Sequence, residues 1–258
     1  MMDKNGSKFE KKIKIIYQDK YIIVLNKPAG LVVHKGDGVK EKNTLVDYLL
    51  ENKLIEPLRF RIKSGMTNPG GEWRDKNRVG IIHRLDKDTS GLIVVGRNQQ
   101  VVDKVQRLFK NREVIKKYFA LVWNETNESG SIVSSIGRKP GNKSVMTTGR
   151  GKIAITDYEL IDIYNFNKNI FSLLNVNLKT GRTHQIRVHM KSIGHPLVGD
   201  PLYTKNSLNQ ITRRLGFDRL FLQSYYIRFK HPFDGKDLEL KIDIEKQLKE
   251  FLNNLALE

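Results

Sequence analysis

Two carboxylates in one polar segment are the first candidates for chemistry in this chain. Residues 83–91 read His-Arg-Leu-Asp-Lys-Asp-Thr-Ser-Gly and come directly before the apolar run Leu92–Val95. Loops braced on a rigid strand are common positions for catalytic groups. Asp86 and Asp88 are two positions apart, and we do not expect them to form an acid/base pair. A solvated turn whose carboxylates bind backbone amides is the alternative, because Asp and Ser also favour turns for local reasons.

A second polar cluster occupies residues 178–189, which read Leu-Lys-Thr-Gly-Arg-Thr-His-Gln-Ile-Arg-Val-His. Arg187 lies in the same predicted helix as the apolar residues Ile186 and Met190, so we expect it to be partly buried. A buried guanidinium requires a carboxylate partner, because an unpaired buried charge is costly. Asp86 is a plausible partner, and an ordinary basic helix face near phosphate is the alternative.

Metal chemistry is not expected from the histidines. His184 and His189 are five positions apart, which does not place them on one helical face, and no Glu completes a His-Glu-x-x-His pattern. The chain contains no cysteine, so disulfides, thiolate nucleophiles and Cys-ligated metal sites are excluded.

Tyr118 is the aromatic residue best placed to contact a base. It follows Lys116 and Lys117 at the start of a predicted strand. Nucleic-acid bases stack on aromatic rings, and neighbouring cations suit the phosphate. The alternative is an ordinary core aromatic of that strand.

The charge balance favours a polyanionic partner. The chain of 258 residues has 46 Lys and Arg against 28 Asp and Glu, a net charge of +18. Nucleic acid is the leading candidate and an anionic membrane surface the competitor, although a generally lysine-rich proteome would also give such a surplus. The N-terminus lacks the apolar run of a signal peptide, and no stretch approaches the roughly 20 apolar residues of a membrane span. We therefore expect a soluble cytoplasmic protein without a membrane partner.

Strands outnumber helices in the elements that must position these groups. Periodicity predicts strands at Ile13–Tyr17, Tyr21–Leu25, Leu31–His34, Leu92–Val95, Tyr118–Trp123, Ile153–Ile163, Ile170–Leu178, Phe221–Phe229 and Leu238–Ile242. Helices are predicted after a Thr44 cap, at Asn98–Asn111, at His184–Ile193 behind a capping turn at residues 180–183, and at Ile244–Leu255. Short turns between strands argue against βαβ alternation.

The pattern predicts a single α+β domain over residues 13–258. Its largely antiparallel mixed sheet is flanked by helices and loops. We expect residues 1–12 to be a frayed basic N-terminus and residues 59–79 to form a long basic loop.

These pieces together resemble the RluA-type pseudouridine synthases, from about Ile13 to Ile244. Residues 26–31 (Asn-Lys-Pro-Ala-Gly-Leu) resemble the family's first motif, and residues 83–91 its second. Residues 117–122 resemble the motif that holds the active-site tyrosine. Residues 180–189 and 194–200 (Gly-His-Pro-Leu-Val-Gly-Asp) resemble the third. The second and third motifs are long, specific and in the family's order.

The resemblance implies an enzyme that isomerises uridine to pseudouridine in RNA without a cofactor. Asp86 would be the essential carboxylate, Arg187 would keep it ionised and oriented, and Tyr118 would stack on a flipped uracil and help to remove its C5 proton. Arg84 would fill the gap left by the base. The residues expected to bind RNA are Arg84, His83, Lys117, Arg182, His184 and Gln185.

Two departures from the family qualify the resemblance. Leu222-Gln223-Ser224 stands where the family usually has Leu-His-Ala, a structural position, so activity is not put in doubt. Some relatives carry an N-terminal S4-type RNA-binding domain, for which we expect no room before the first motif.

The substrate is expected to be large-subunit ribosomal RNA, bound by a monomer, with a tRNA uridine or dual specificity as the alternative. Two other functions stay open at this point. One is a catalytically inactive RNA-binding or ribosome-assembly protein, and the other is a metal-dependent hydrolase of a phosphate substrate that uses the Asp/His cluster.

Overall fold

The computed structural model describes residues 13–35, 43–56 and 73–256, which contain ten strands and five helices. They fall into two compact units. Among the described residues, the first unit comprises 13–35, 43–56, 73–113 and 230–236, and the second comprises 114–229 and 237–256. The predicted α+β class is confirmed, and the strand pairs within each unit are antiparallel. The predicted N-terminal segment 1–12 and most of the predicted basic loop lie outside the described residues.

The first unit is built on three strands in the order β1-β2-β3. These are β1 (Lys14–Gln18), β2 (Ile22–Lys27) and β3 (Ser90–Gly96), and its helices are α1 (Leu45–Glu51) and α2 (Gln99–Lys110). β3 is buried along its whole length, as its continuous apolar run predicts.

Both helices of the first unit begin where the sequence predicts. The side chain of Thr44 accepts the backbone N–H of Asp47, whose carboxylate accepts the N–H of Thr44, so the two residues form a capping box. Asn98 caps α2 through the N–H of Val101.

The predicted strand Leu31–His34 is wrong, since these residues form no strand. The carbonyl groups of Val32 and Val33 instead accept the backbone N–H groups of Leu45 and Val46, at 2.8 and 3.1 Å. The apolar run therefore satisfies the free N–H groups at the start of α1, which a helix cannot pair internally.

The second unit contains the larger set of strands, in the order β9-β4-β8-β7-β5-β6, with β10 paired to β9. The strands are β4 (Ile115–Trp123), β5 (Ser129–Lys139), β6 (Asn142–Thr148), β7 (Lys152–Phe166), β8 (Asn169–Leu178), β9 (Leu222–Lys230) and β10 (Asp237–Lys241). The helices are α3 (Gln185–Ser192), α4 (Asn206–Arg214) and α5 (Lys246–Leu255).

Sequence analysis missed β5, β6 and α4. Their sequences are rich in Ser, Asn, Thr and Arg and have little apolar periodicity, because much of their surface stays exposed. They form through pairing with β7 and through tertiary packing, which local pattern does not record.

β4 packs against the last helix of the second unit. On one face, Leu121 and Trp123 pack in a cluster with Phe251 and Leu252 of α5. Side chains alternate along a strand, so Tyr118 and the residues in step with it point to the other face. A second cluster joins Val188 of α3 to Ile136, Ala154 and Tyr203.

No helix among the described residues is long and apolar enough to cross a membrane.

Candidate active site

Asp86 lies in a braced turn of the first unit. It is half-buried, and its carbonyl accepts the backbone N–H of Thr89 at 3.2 Å, which closes the turn that the sequence predicts. His83 holds the start of the segment, because its Nε2 accepts the N–H of Val94 at 2.9 Å and its ring stacks on Phe109 at 4.6 Å. The segment is thereby fixed to both β3 and α2.

Lys27 clamps the first motif onto the residue that follows Asp86. It is fully buried (0% exposed), and its Nζ donates to the carbonyl groups of Pro28, Leu31 and Lys87 at 2.9, 3.0 and 3.0 Å. The N–H of Gly30 also donates to the Lys87 carbonyl, at 2.8 Å. Sequence reasoning missed this role, although a lysine at the end of a buried apolar strand was a signal for it.

Positive charge gathers near Arg84, which is exposed. Burial lowers the pKa of His34, and the nearby guanidinium groups of Arg78 and Arg84 lower it further. His34 is therefore neutral at physiological pH, and the cations around it are the two arginines.

The second unit holds Arg187 in a two-point ion pair with Asp200. Arg187 Nε lies 2.8 Å from Asp200 Oδ2, and Nη2 lies 2.8 Å from Oδ1. The side chains are 3% and 0% exposed. Such a planar pair is the geometry that a guanidinium favours. The expectation of a buried arginine with a carboxylate partner is met by Asp200, and the pairing of Arg187 with Asp86 stays a prediction.

Backbone contacts fix Asp200 in turn. Its Oδ1 accepts the N–H groups of Leu202 and Tyr203 at 2.9 and 3.1 Å. The preceding Gly199 has φ +70, and a Cβ there would overlap the carbonyl oxygen of Arg219. Glycine is therefore required at this position by both conformation and space.

Residues 194–200 are attached directly to the strand that carries Tyr118. The N–H of Trp123 donates to the carbonyl of Pro196 at 3.0 Å, and the N–H of Val198 donates to that of Leu121 at 2.9 Å. The third motif and β4 thus form one structural group within the second unit.

Tyr203 joins His184 to this group. Its hydroxyl accepts the N–H of Met146 at 2.8 Å and lies 2.8 Å from His184 Nδ1. The guanidinium carbon of Arg187 lies 5.1 Å from the centre of the Tyr203 ring, within cation–π range.

The start of α3 differs in detail from the predicted cap. The N-cap residue is His184, in the left-handed conformation with φ 55, and no side chain caps the helix. Residues 180–183 are held by Gln185 instead. Its Oε1 accepts the Thr180 hydroxyl and the Arg182 N–H, and its Nε2 donates to Ile155 O and Thr156 Oγ1, all at 2.8–3.0 Å. These four bonds use the full capacity of the amide.

Tyr118 is buried on the face of β4 opposite to Lys117. It pairs with Val176 of β8 and with Ser224 of β9. Lys117 Nζ lies over the ring of Tyr226, 5.5 Å from its centre.

The lysine that shares the face of Tyr118 is Lys116, which is 8% exposed. Burial lowers the pKa of Lys116 from 10.5 to about 8. Strand periodicity alone could have identified Lys116 as the lysine on the face of Tyr118.

Gln223, in the segment that departs from the family pattern, is a buried structural residue. Its Nε2 donates to the carbonyl of Asp243, and its Oε1 accepts the N–H of Glu245, both at 2.8 Å. The amide thus ties β9 to the chain that enters α5.

The residues selected from the sequence are divided between the units. The first contains His83, Arg84 and Asp86, and the second contains Lys117, Tyr118, Arg182, His184, Gln185 and Arg187. Across residues 13–35, 43–56 and 73–256, no group of three or more His, Asp or Glu side chains is arranged to hold a metal ion.

Residues 21–192 match the profile of a family described as "RNA pseudouridylate synthase". Among curated proteins, the chain is 34% identical over 242 residues to the "Ribosomal large subunit pseudouridine synthase D" of Zymomonas mobilis subsp. mobilis, covering 92% of this chain and 71% of that protein. It is 36% identical to the protein of the same name from Buchnera aphidicola subsp. Schizaphis graminum, covering 93% and 72%. A Bacillus subtilis relative, "Uncharacterized RNA pseudouridine synthase YlyB", is 34% identical, with 94% and 73% covered.

Two solved structures share the fold. "Human RNA Pseudouridylate Synthase Domain Containing 1" superposes with a TM-score of 0.67 at 24% identity, covering 96% of each chain. "Human RNA Pseudouridylate Synthase Domain Containing 4" superposes with a TM-score of 0.69 at 23% identity, covering 95% of this chain and 93% of that one.

Proposed function

Since the chain belongs to the RNA pseudouridylate synthase family and is an isomerase of RNA uridines, we propose that its substrate is large-subunit ribosomal RNA. The proposal rests on the names of the curated relatives of this chain. The two described above, both called ribosomal large subunit pseudouridine synthase D, are 34% and 36% identical over 92% and 93% of the chain. The net charge of +18 fits a substrate rich in phosphate. We further propose that the enzyme acts as a monomer in the cytoplasm.

In the proposed mechanism Asp86 is the essential carboxylate. The reaction breaks the N1–C1′ bond of uridine, rotates the base and forms a C5–C1′ bond, after which the C5 hydrogen leaves as a proton. A carboxylate that acts at the sugar must be held in place. The bonds from Lys27 Nζ to the Lys87 carbonyl and from the Thr89 N–H to the Asp86 carbonyl support that role.

Arg187 and Tyr118 complete the proposed catalytic set. The bidentate pair with Asp200 and the ring of Tyr203 fix the Arg187 guanidinium, so a positive charge is held rigidly in the second unit. That charge would keep Asp86 ionised and oriented in the RNA complex. Tyr118 would stack on the extruded uracil and assist removal of its C5 proton.

The RNA contacts are proposed with a division of roles that follows the observed bonding. Exposed Arg84 and Arg182, with half-buried His184, are the residues that we propose to bind RNA. The bonds of His83 and Gln185 favour a positioning role for these two. Lys117 lies on the far face of β4 from Tyr118, so a contact with the flipped base is not proposed for it.

Pseudouridine mapping of total RNA from cells with and without the gene tests the proposed substrate. The proposal expects at least one pseudouridine in large-subunit ribosomal RNA to disappear with the gene and to return with a plasmid copy. Loss confined to tRNA would assign the same chemistry to a tRNA uridine, and loss in both would indicate dual specificity. An unchanged map would contradict an active synthase in those cells.

A further inference from the structure

A cleft on the first unit is lined in part by Gln106, which contacts the two residues just before the segment 83–91. It has a volume of about 210 Å³ and is lined by Arg74, Asp103, Gln106, Arg107 and Lys110. Arg74, Arg107 and Lys110 are cations, and every lining residue except Arg74 lies on α2.

The single carboxylate in the cleft is already fully engaged. Asp103 Oδ2 lies 2.7 Å from Arg74 Nη2, and Asp103 Oδ1 accepts the amide of Gln99 at 2.8 Å. Arg107 and Lys110 have no carboxylate within ion-pair distance among the described residues. Two positive charges are therefore left to face solvent in a concave site.

One ordinary explanation of these charges is the helix itself. Arg107 and Lys110 lie in the last turn of α2, where cations stabilise the helix dipole by about 0.3–1 kcal/mol each. The helix dipole does not explain why Arg74, which lies outside α2, also lines the cleft.

The wall of the cleft is continuous with the catalytic segment. Gln106 Nε2 lies 3.3 and 3.4 Å from the carbonyl oxygens of Ile81 and Ile82. Phe109, one position before Lys110, stacks on His83. Four residues of extended chain span at most roughly 14 Å, which bounds the distance from Ile82 to Asp86. The cleft is thus within a few nucleotides of the carboxylate.

We propose that this cleft binds a backbone phosphate of the substrate RNA a few nucleotides from the uridine that is isomerised. The inference rests on the proposed action on large-subunit ribosomal RNA, and it assigns Arg107 and Lys110 to anchoring the strand. A guanidinium beside an ammonium suits phosphate because the first donates in a fork and the second acts as a point charge. Such contacts hold the strand in register without reading its sequence.

The test is the double variant Arg107→Gln/Lys110→Gln, compared with Lys246→Gln/Lys249→Gln on exposed positions of α5 in the second unit. Both remove two charges. Affinity for an in vitro transcript of large-subunit RNA is measured by filter binding over a salt series, and pseudouridine is measured separately by mass spectrometry. Thermal unfolding of every variant controls for the lost helix-dipole contacts.

Each phosphate contact contributes roughly 0.7–0.9 to the slope of log affinity against log salt. The cleft variant is expected to lower that slope by about 0.8, the contribution of one phosphate, and to weaken binding several-fold at moderate salt. KM should rise with kcat preserved at saturating RNA. An unchanged slope, or an equal change in the α5 variant, would overturn the inference. Because binding is read without catalysis, failure of the wild-type enzyme to modify this RNA would count against the proposed substrate and not against the cleft.

Discussion

Arg187 and Asp200 form a buried ion pair that organises the third motif, with both contacts at 2.8 Å. The carboxylate also accepts two backbone N–H groups, from Leu202 and Tyr203. The pair therefore links α3 to the last residue of the segment 194–200. Its geometry makes Asp200 a positioning residue for the guanidinium.

Replacing Asp200→Asn is expected to destabilise the fold by about 3–5 kcal/mol. The change leaves the charge of Arg187 buried without its carboxylate, which costs more than an intact pair contributes. Urea unfolding measures this free energy. Glu250→Gln is the matched control, since its pair with Lys246 is exposed (3.6 Å), and a change within about 0.5 kcal/mol is expected. Similar losses in the two variants would contradict the assigned role of Asp200.

Lys27→Met should reduce both stability and kcat. The variant leaves three carbonyl groups without the ammonium, and hydrogen bonds to a charged group contribute about 1.5–3 kcal/mol each. The turn that holds Asp86 would lose its clamp at Lys87. Lys35→Met, which removes a half-exposed lysine paired with Asp47, is the control and should keep kcat. Wild-type kcat in a folded Lys27→Met enzyme would show that the clamp does not serve catalysis.

Lys116 gives a prediction for pH. Its pKa in the folded protein is about 8, against 10.5 for an exposed lysine. Between these values the unfolded chain binds more protons, so the stability of the fold rises with pH. The free-energy cost of burying the charged Lys116 ammonium is fully present below pH 8. It decreases as the pH rises towards 10.5. It amounts to about 3 kcal/mol at neutral pH, since each pKa unit corresponds to 1.36 kcal/mol.

Lys116→Met is expected to be more stable than wild type at pH 7, with a difference that shrinks by about 2 kcal/mol by pH 9.5. Urea unfolding of both proteins across this range is the measurement. Tyr17, whose pKa is raised to about 12 by burial and by Asp19, is present in both and cancels in the comparison. A difference that is constant with pH would mean that Lys116 does not titrate in this range.

Gln223 tests whether the departure from the family pattern is structural. Gln223→Leu removes both bonds, to Asp243 and Glu245, and should cost about 1–3 kcal/mol because two part-buried backbone groups lose their partner. Gln223→His restores the family's residue and should retain kcat. A loss of kcat in Gln223→His with unchanged stability would instead indicate a catalytic role at this position.

The sequence was most informative where local chemistry decides the structure. The Thr44 cap, the helix predicted at Asn98–Asn111 and the buried run of β3 follow from capping and periodicity. It was least informative where a distant partner decides: Val32 and Val33 bind the start of α1, and β5 is half-exposed and depends on β7. Apolar pattern alone cannot identify such partners.

The same limit applies to the site. The motifs located Arg187, and its burial followed from its apolar neighbours, yet spacing did not reveal that Asp200 is its carboxylate. Strand alternation could have selected Lys116 over Lys117, since it needs only the period of two. The use of every polar atom of Gln185 within the fold depends on β7 and was not readable from its own segment.

The central claim, that Asp86 carries out uridine isomerisation, is tested most directly with RNA tritiated at uridine C5. Formation of the C5–C1′ bond releases that tritium to water. The account predicts release by the wild-type enzyme and by Asp88→Asn, a change at the neighbouring carboxylate, and none by Asp86→Asn although it still binds RNA. Release by Asp86→Asn at the wild-type rate would contradict the account.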